Sequence, residues 1–294
     1  MQTLKQSAIK GLHFTYVNED EFRLTYRDSF KLRFYNFRTH TKAPLIIDCG
    51  AHIGLSLLYF KQKYPESRVI AFEANPNTFE LLEKNVQQNQ LNGVELVQAA
   101  VSDQEGAIPF YVGKEVDGEL SQWGDAGVRN KWNTEDAYTT VTVPAVRLSS
   151  YIEEPVDFLK IDIEGMEGIV LKDIESKLHL VKALRIEYHG SSTTPDNRLV
   201  DVLAILSRHG FRYVLEQRMM VVGPTQVRHY DPYFLIIYTY TRWFPWWCHR
   251  YIWYMPSRVS FVRFGLSFVP FFMRRWLRQI ARRQQNNIKG QLWV

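Results

Sequence analysis

The chain has 294 residues, 46% of them hydrophobic and 23% charged, and a formal charge of +5. This is the composition of a folded protein with chain enough for one large domain or two small ones, and it excludes disorder throughout. The charge is uneven: ten of the 36 lysines and arginines lie in residues 241–294, which hold no acid, so the first 240 residues carry 26 basic against 31 acidic side chains. Two cysteines, Cys49 and Cys248, are too few for a disulfide framework, and no spaced Cys and His set suggests structural zinc. Neither a secretion signal nor a spanning helix is evident. The longest late stretch free of charge, Phe264–Met273, has ten residues where a bilayer needs roughly 20. A cytoplasmic setting is the expectation.

In chain order, Leu12–Tyr16 and Phe22–Tyr26 suggest a hairpin within an N-terminal β-rich extension, 1–40. Pro44–Asp48 reads as a buried strand entering a turn, and Ile53–Lys63 as a helix. Strand Arg68–Phe72 ends at Glu73, and Thr78 is the expected cap of a helix running through Asn89. A third strand spans Val94–Ala99. Ile108–Val112 and Thr139–Val146 look like strands around a polar insertion, 114–138, whose Trp123 and Trp132 favour a packed lid over a linker. Alternation resumes with strand Phe158–Ile161, helix Met166–Ile174, strand Leu184–Tyr188 and helix Asn197–His209. Phe211–Leu215 and Tyr233–Tyr238 close as an antiparallel edge pair. The sum is an α/β domain over 41–240 with a seven-stranded, mostly parallel sheet and helices on both faces.

Asp48, Gly50, Ala51, His52 and Gly54 fall in a D-x-G-x-x-x-G run between the first strand and helix, where a tight turn and close ligand approach call for glycine. Glu73, 23 residues after Gly50, stands where nucleotide-binding α/β folds meet ribose hydroxyls. His52 breaks the G-x-G-x-x-G pattern of dinucleotide enzymes. An acid two residues before the first glycine suits a cofactor with an amine and no phosphate, such as S-adenosylmethionine, with Asp48 facing its ammonium directly or through water.

The runs I-I-D-C-G-A-H-I-G, A-F-E-A-N-P, A-A-V-S-D-Q-E-G, D-F-L-K-I-D-I-E-G-M-E and R-I-E-Y-H resemble, in order and spacing, the FkbM family of S-adenosylmethionine-dependent methyltransferases. The resemblance spans roughly Pro44–Gly190 and implies a class I methyltransferase (Rossmann-like) fold and methyl transfer to a hydroxyl of a sugar, glycolipid or natural product. It also implies that Asp48, Gly50 and Gly54 form the methionine-side loop, that Glu73 meets the ribose, and that Ala100, Val101 and Ser102 lie by the adenine. His52 stands where the family commonly has Asn, and Ala74 where it has Pro.

Candidate catalytic groups end the later strands, where open α/β sheets bind ligands: Asp162 and Glu164 after one, Glu187 and His189 after the next. Residues two apart on a strand share a face, so each pair should present two polar groups to one pocket. Either Asp162 or His189 takes the hydroxyl proton, or the carboxylates and His189 hold a divalent ion that acidifies the hydroxyl. The metal-free reading is preferred, since no further ligand is evident. Glu167 reads as a solvated helix start.

Residues 241–294 hold six of the eight tryptophans beside the ten cations. Met273, Trp276, Leu277 and Ile280 fall on one helical face and Arg274, Arg275, Arg278 and Arg282 on the other, the pattern of a helix lying on a membrane surface. Packing against protein is the competing reading, and nucleic acid the least favoured. For the whole chain, the rivals are an NAD-dependent oxidoreductase, disfavoured by the missing glycine pattern, and a non-catalytic membrane-docking protein.

Overall fold

The computed structural model describes residues 3–113, 115–116, 119–120, 125–128, 138–217 and 233–240. The chain divides into two units, Met1–Trp246 and Trp247–Val294, and every described residue belongs to the first. The expected surface helix of 241–294, and most of the expected lid with Trp123 and Trp132, lie outside the described residues. No helix among them is long and apolar enough to cross a membrane.

The N-terminal hairpin forms one step earlier than its apolar pattern suggests. Strand β1 (Lys5–Ile9) pairs antiparallel with β2 (Leu12–Tyr16). Phe22–Tyr26, expected as the second strand, belongs to helix α1 (Glu19–Tyr26). The correction has a local cause: the Asn18 side chain accepts from the amides of Asp20 and Glu21, and three acids occupy the positive first turn. Phe22 and Tyr26, four apart, then share one buried helix face, and their rings join Phe14, Tyr16, Leu55 and Leu58 in an aromatic cluster.

The central sheet begins with β3 (Leu45–Cys49), whose five side chains are all buried, as expected of a strand covered on both faces. It continues through α2 (Leu55–Lys63), β4 (Arg68–Phe72), α3 (Pro76–Gln88) and β5 (Val94–Val97). Asn75, not Thr78, caps α3: its side chain accepts from the Asn77 amide and Pro76 supplies the first helical residue, leaving Thr78 buried inside the helix. The chain then leaves this sheet. Short β6 (Ala100–Ser102) joins β7 (Gly106–Gly113) and, past the small pair β8 (Glu115–Val116) and β9 (Glu119–Leu120), β10 (Tyr138–Arg147) in a second sheet of order β6-β10-β7. Ile108, Phe110, Val143 and Ala145 of this sheet pack with Ala74, Ala100 and Met166.

Alternation resumes with β11 (Phe158–Ile161), α4 (Glu167–Asp173), β12 (Leu184–Gly190), α5 (Leu199–Arg208), β13 (Arg212–Gln217) and β14 (Tyr233–Tyr240). The seven-stranded sheet runs β13-β14-β12-β11-β3-β4-β5, parallel except where β14 lies antiparallel between β12 and β13. With β3 at the centre, β11 on one side and β4 on the other, the ends of all three strands open on the same edge.

Candidate active site

The chain leaves β3 at Cys49 and reverses through Gly50 (φ +79°), His52 (φ +52°) and Gly54 (φ +91°), all left-handed. Glycine is required at Gly50 twice over, since a Cβ there would sit 1.8 Å from the Asp162 carbonyl oxygen. At the tip of β4, Glu73 Oε2 accepts from the His52 amide (2.8 Å) and Oε1 from the Asn75 amide (2.9 Å). The Ala74 amide is a third backbone donor to this carboxylate, and of about four lone-pair sites one is left to accept a ligand hydroxyl. Burial pushes Glu73 up to about 7. Burial also holds His52 down to about 4, a neutral ring, and its Nε2 is buried with no hydrogen-bond partner.

Gly50, Ala51, His52, Glu73, Ala100 and Val101 line a cleft of about 900 Å³, open mouth included, and Asp162 and Glu164 line it with them. Gly54 and Ser102 are outside the lining: Gly54 caps α2, and Ser102 is buried in β6. Asp48 is outside it as well. The Asp48 carboxylate is fully buried, with Oδ2 accepting from Ser56 Oγ (2.5 Å) and Oδ1 lying 3.2 Å from Lys160 Nζ. Any link from Asp48 to a ligand therefore runs through these partners.

Lys160 is the hub that the sequence reading overlooked. Its ammonium, 2% exposed, donates to the Gly50 carbonyl (2.6 Å) and lies 3.1 Å from Asp162 Oδ2 as well as beside Asp48. Burial opposes its charge, but Asp162 and Asp48 more than compensate, so its pKa is raised. The glycine loop and the end of β11 are thus tied by one ammonium. The signal was present in F-L-K-I-D: a lysine within a wholly buried strand needs an anionic partner.

Asp162 and Glu164 do not share a strand face as expected, because β11 ends at Ile161 and Glu164 is left-handed (φ +55°). That turn nevertheless brings Glu164 Oε2 to 3.5 Å from His189 Nε2. Glu187 and His189, both buried at the end of β12, are not part of the lining and meet it through Asp162 and Glu164. Glu187 accepts from the Tyr35 hydroxyl (2.5 Å), and burial followed by Asp162's charge pushes it up to about 7. His189 stacks on Phe234. Burial disfavours its charge, yet Glu164 and Glu167 hold it up at about 10, so it is an imidazolium at neutral pH.

Glu167 is not a solvated helix start. It has no exposed surface, and its carboxylate accepts from the Gly165 amide (3.0 Å), Asn197 Nδ2 (2.7 Å) and His189 Nδ1 (2.8 Å). Tyr35 and Thr25 bring the N-terminal segment into the cleft, and Asp125, pushed by burial up to about 8, enters from the insertion beside Gly127.

Residues 48–213 match the methyltransferase FkbM domain family. A relative named methyltransferase sdnD, from Sordaria araneosa, is 28% identical over 226 residues, covering 68% of this chain and 86% of the relative. The 31-O-demethyl-FK506 methyltransferase FkbM of Streptomyces tacrolimicus is 29% identical over 251 residues, covering 72% of this chain and 90% of its own length. Among solved structures, a methyltransferase FkbM from Methylobacillus flagellatus KT is 16% identical with a TM-score of 0.46, and the match covers 73% of this chain and 47% of that one.

Proposed function

Since the chain belongs to the FkbM methyltransferase family and uses S-adenosylmethionine as its methyl donor, we propose that it methylates a hydroxyl oxygen of a small natural product, sugar or glycolipid, with Asp162 as the proton acceptor. The observation that carries this reading is the meeting, in one cleft, of the Gly50 loop, Glu73 and the Asp162 carboxylate. The residues present fit the donor. Glu73 has acceptor capacity left for a ribose hydroxyl, His52 offers a buried, unpartnered ring nitrogen, and Ala100 and Val101 give a small apolar wall for the adenine. The name of the S. tacrolimicus relative, which specifies an O-demethyl compound, favours oxygen as the acceptor atom.

In the step envisaged, an acceptor oxygen attacks the donor methyl in line. The oxygen–carbon bond forms, the carbon–sulfur pair returns to sulfur, and the hydroxyl proton passes to Asp162. The protein's part is alignment plus proton removal. Tyr35, Thr25, Phe110 and Met166 line the same cleft and form the acceptor's side of it. Glu187 and His189 act through the groups they touch, and His189, charged at neutral pH, serves as a positive neighbour to Glu164 in preference to a base.

Labelled-methyl transfer from S-adenosylmethionine into a lipid, glycan and small-molecule extract tests the activity. Asp162→Ala should lower turnover by about 100-fold or more while donor affinity, read calorimetrically, changes little. Unchanged turnover in that variant would remove Asp162 from the role.

A further inference from the structure

We propose that Asp162, Glu164 and His189 form a divalent-cation site at the acceptor side of the cleft, suited to an ion of Mn²⁺ type. One carboxylate oxygen from each acid and one ring nitrogen of His189 lie within 4.8 Å of one another. Ligands at about 2.2 Å from a common ion are roughly 3 Å apart when adjacent and about 4.4 Å apart when opposite, so the three donors would draw together around an ion. A nitrogen with two carboxylates is a mixed donor set that suits first-row ions better than Mg²⁺ or Ca²⁺, which prefer oxygen alone.

Two observations outside the triad point the same way. The first is the setting of His189, whose side chain is more than nine-tenths buried with Nδ1 held by Glu167 at 2.8 Å. Glu167 is fixed in turn by Asn197 and the Gly165 amide. A buried carboxylate on the far nitrogen is the arrangement that orients a ligating histidine, and at Nε2 the ion takes the place of the proton that His189 carries in its absence, so binding releases that proton to solvent. Glu164 Oε2 approaches Nε2 at 3.5 Å, well beyond the ~2.8 Å of a charge-assisted hydrogen bond.

The second is charge. Lys160 and His189 are the cations here, against five carboxylates, those of Asp48, Asp162, Glu164, Glu167 and Glu187, of which Glu187 is half protonated near pH 7. The excess is anionic.

The proposal deepens the hydroxyl-methylation reading, on which its purpose rests: an ion at this position would draw an acceptor hydroxyl towards the alkoxide. Binding itself is measurable without turnover. The full chain, stripped with EDTA, is titrated with Mn²⁺ while the free-ion electron paramagnetic resonance signal is followed. One ion per chain should leave the free pool. Glu164→Gln and His189→Gln should each abolish or weaken that uptake, and Glu167→Gln should weaken it about 10-fold through loss of orientation, with an unchanged far-ultraviolet circular dichroism spectrum in all three as the check on folding. An undiminished Mn²⁺ signal, or uptake by Glu164→Gln equal to that of the unaltered chain, overturns the site. If Mn²⁺ binds as stated and no hydroxyl acceptor is methylated, the reaction assignment fails and the cation site stands.

Discussion

Glu73 is a buried carboxylate that both lines the cleft and holds its backbone in place. Its backbone donors tie the glycine loop to β4, while burial favours the protonated form, with a pKa near 7 against an ordinary 4.5. The folded state therefore holds a proton that the unfolded chain releases earlier. The contribution to stability is full below about 4.5 and is lost as pH rises through 7, by about 3 kcal/mol. Glu73→Gln should flatten that part of the melting-temperature profile between pH 5 and 7, and S-adenosylmethionine affinity, which should rise through pH 7 in the native chain, should become both weaker and level. A variant whose profile matched the native one would show that Glu73 does not titrate there. Lys160 and Glu167 illustrate what a single residue hides. Each has a partner its own segment does not show: Asp162 stands two residues from Lys160, but Asp48 lies 112 positions away, and His189 lies 22 from Glu167.

Among the elements, the strands were legible because each is a short apolar run closed by a polar residue or glycine, and β3, β4 and β11 start or stop within a residue of expectation. F-R-L-T-Y misleads because its alternation satisfies a strand and its first and last aromatics satisfy a helix; Asn18 and the acids behind it decide for the helix. The hairpin β1–β2 is fastened to the main domain by Asn85, which is fully buried in α3 and bonds the amide and carbonyl of Thr15 and the carbonyl of Ile53. Asn85→Ala leaves buried backbone groups without partners and should cost about 2–3 kcal/mol, read as a lower urea midpoint at unchanged slope. The same clamp sets the course of the segment that delivers Thr25 and Tyr35 to the cleft, so acceptor affinity should suffer with it. A loss under about 0.5 kcal/mol would mean that the aromatic cluster and the Gln88 and Asn89 bonds to His13 and Thr15 hold the hairpin without Asn85.

For the whole molecule, the formal +5 is the sum of an acidic body and a tail of ten cations, and the two belong to different parts of the chain. Acids gathered around one cleft fit a cationic donor, whereas for the tryptophan-rich, arginine-rich stretch 241–294, which lies outside the described residues, attachment to an anionic surface is our proposal from composition alone. Full-length protein should float with liposomes containing anionic lipid, and a chain ending at 240 should not; sedimentation of both would remove the attachment role. What the amino-acid order could not convey was distance across the fold, and the contact between Gly50 and the Asp162 carbonyl is its clearest instance. With space for no methyl group between them, the glycine loop after β3 and the end of β11 cannot be adjusted separately. A substitution that shifts either one must carry the other with it, so the two sides of the cleft change together.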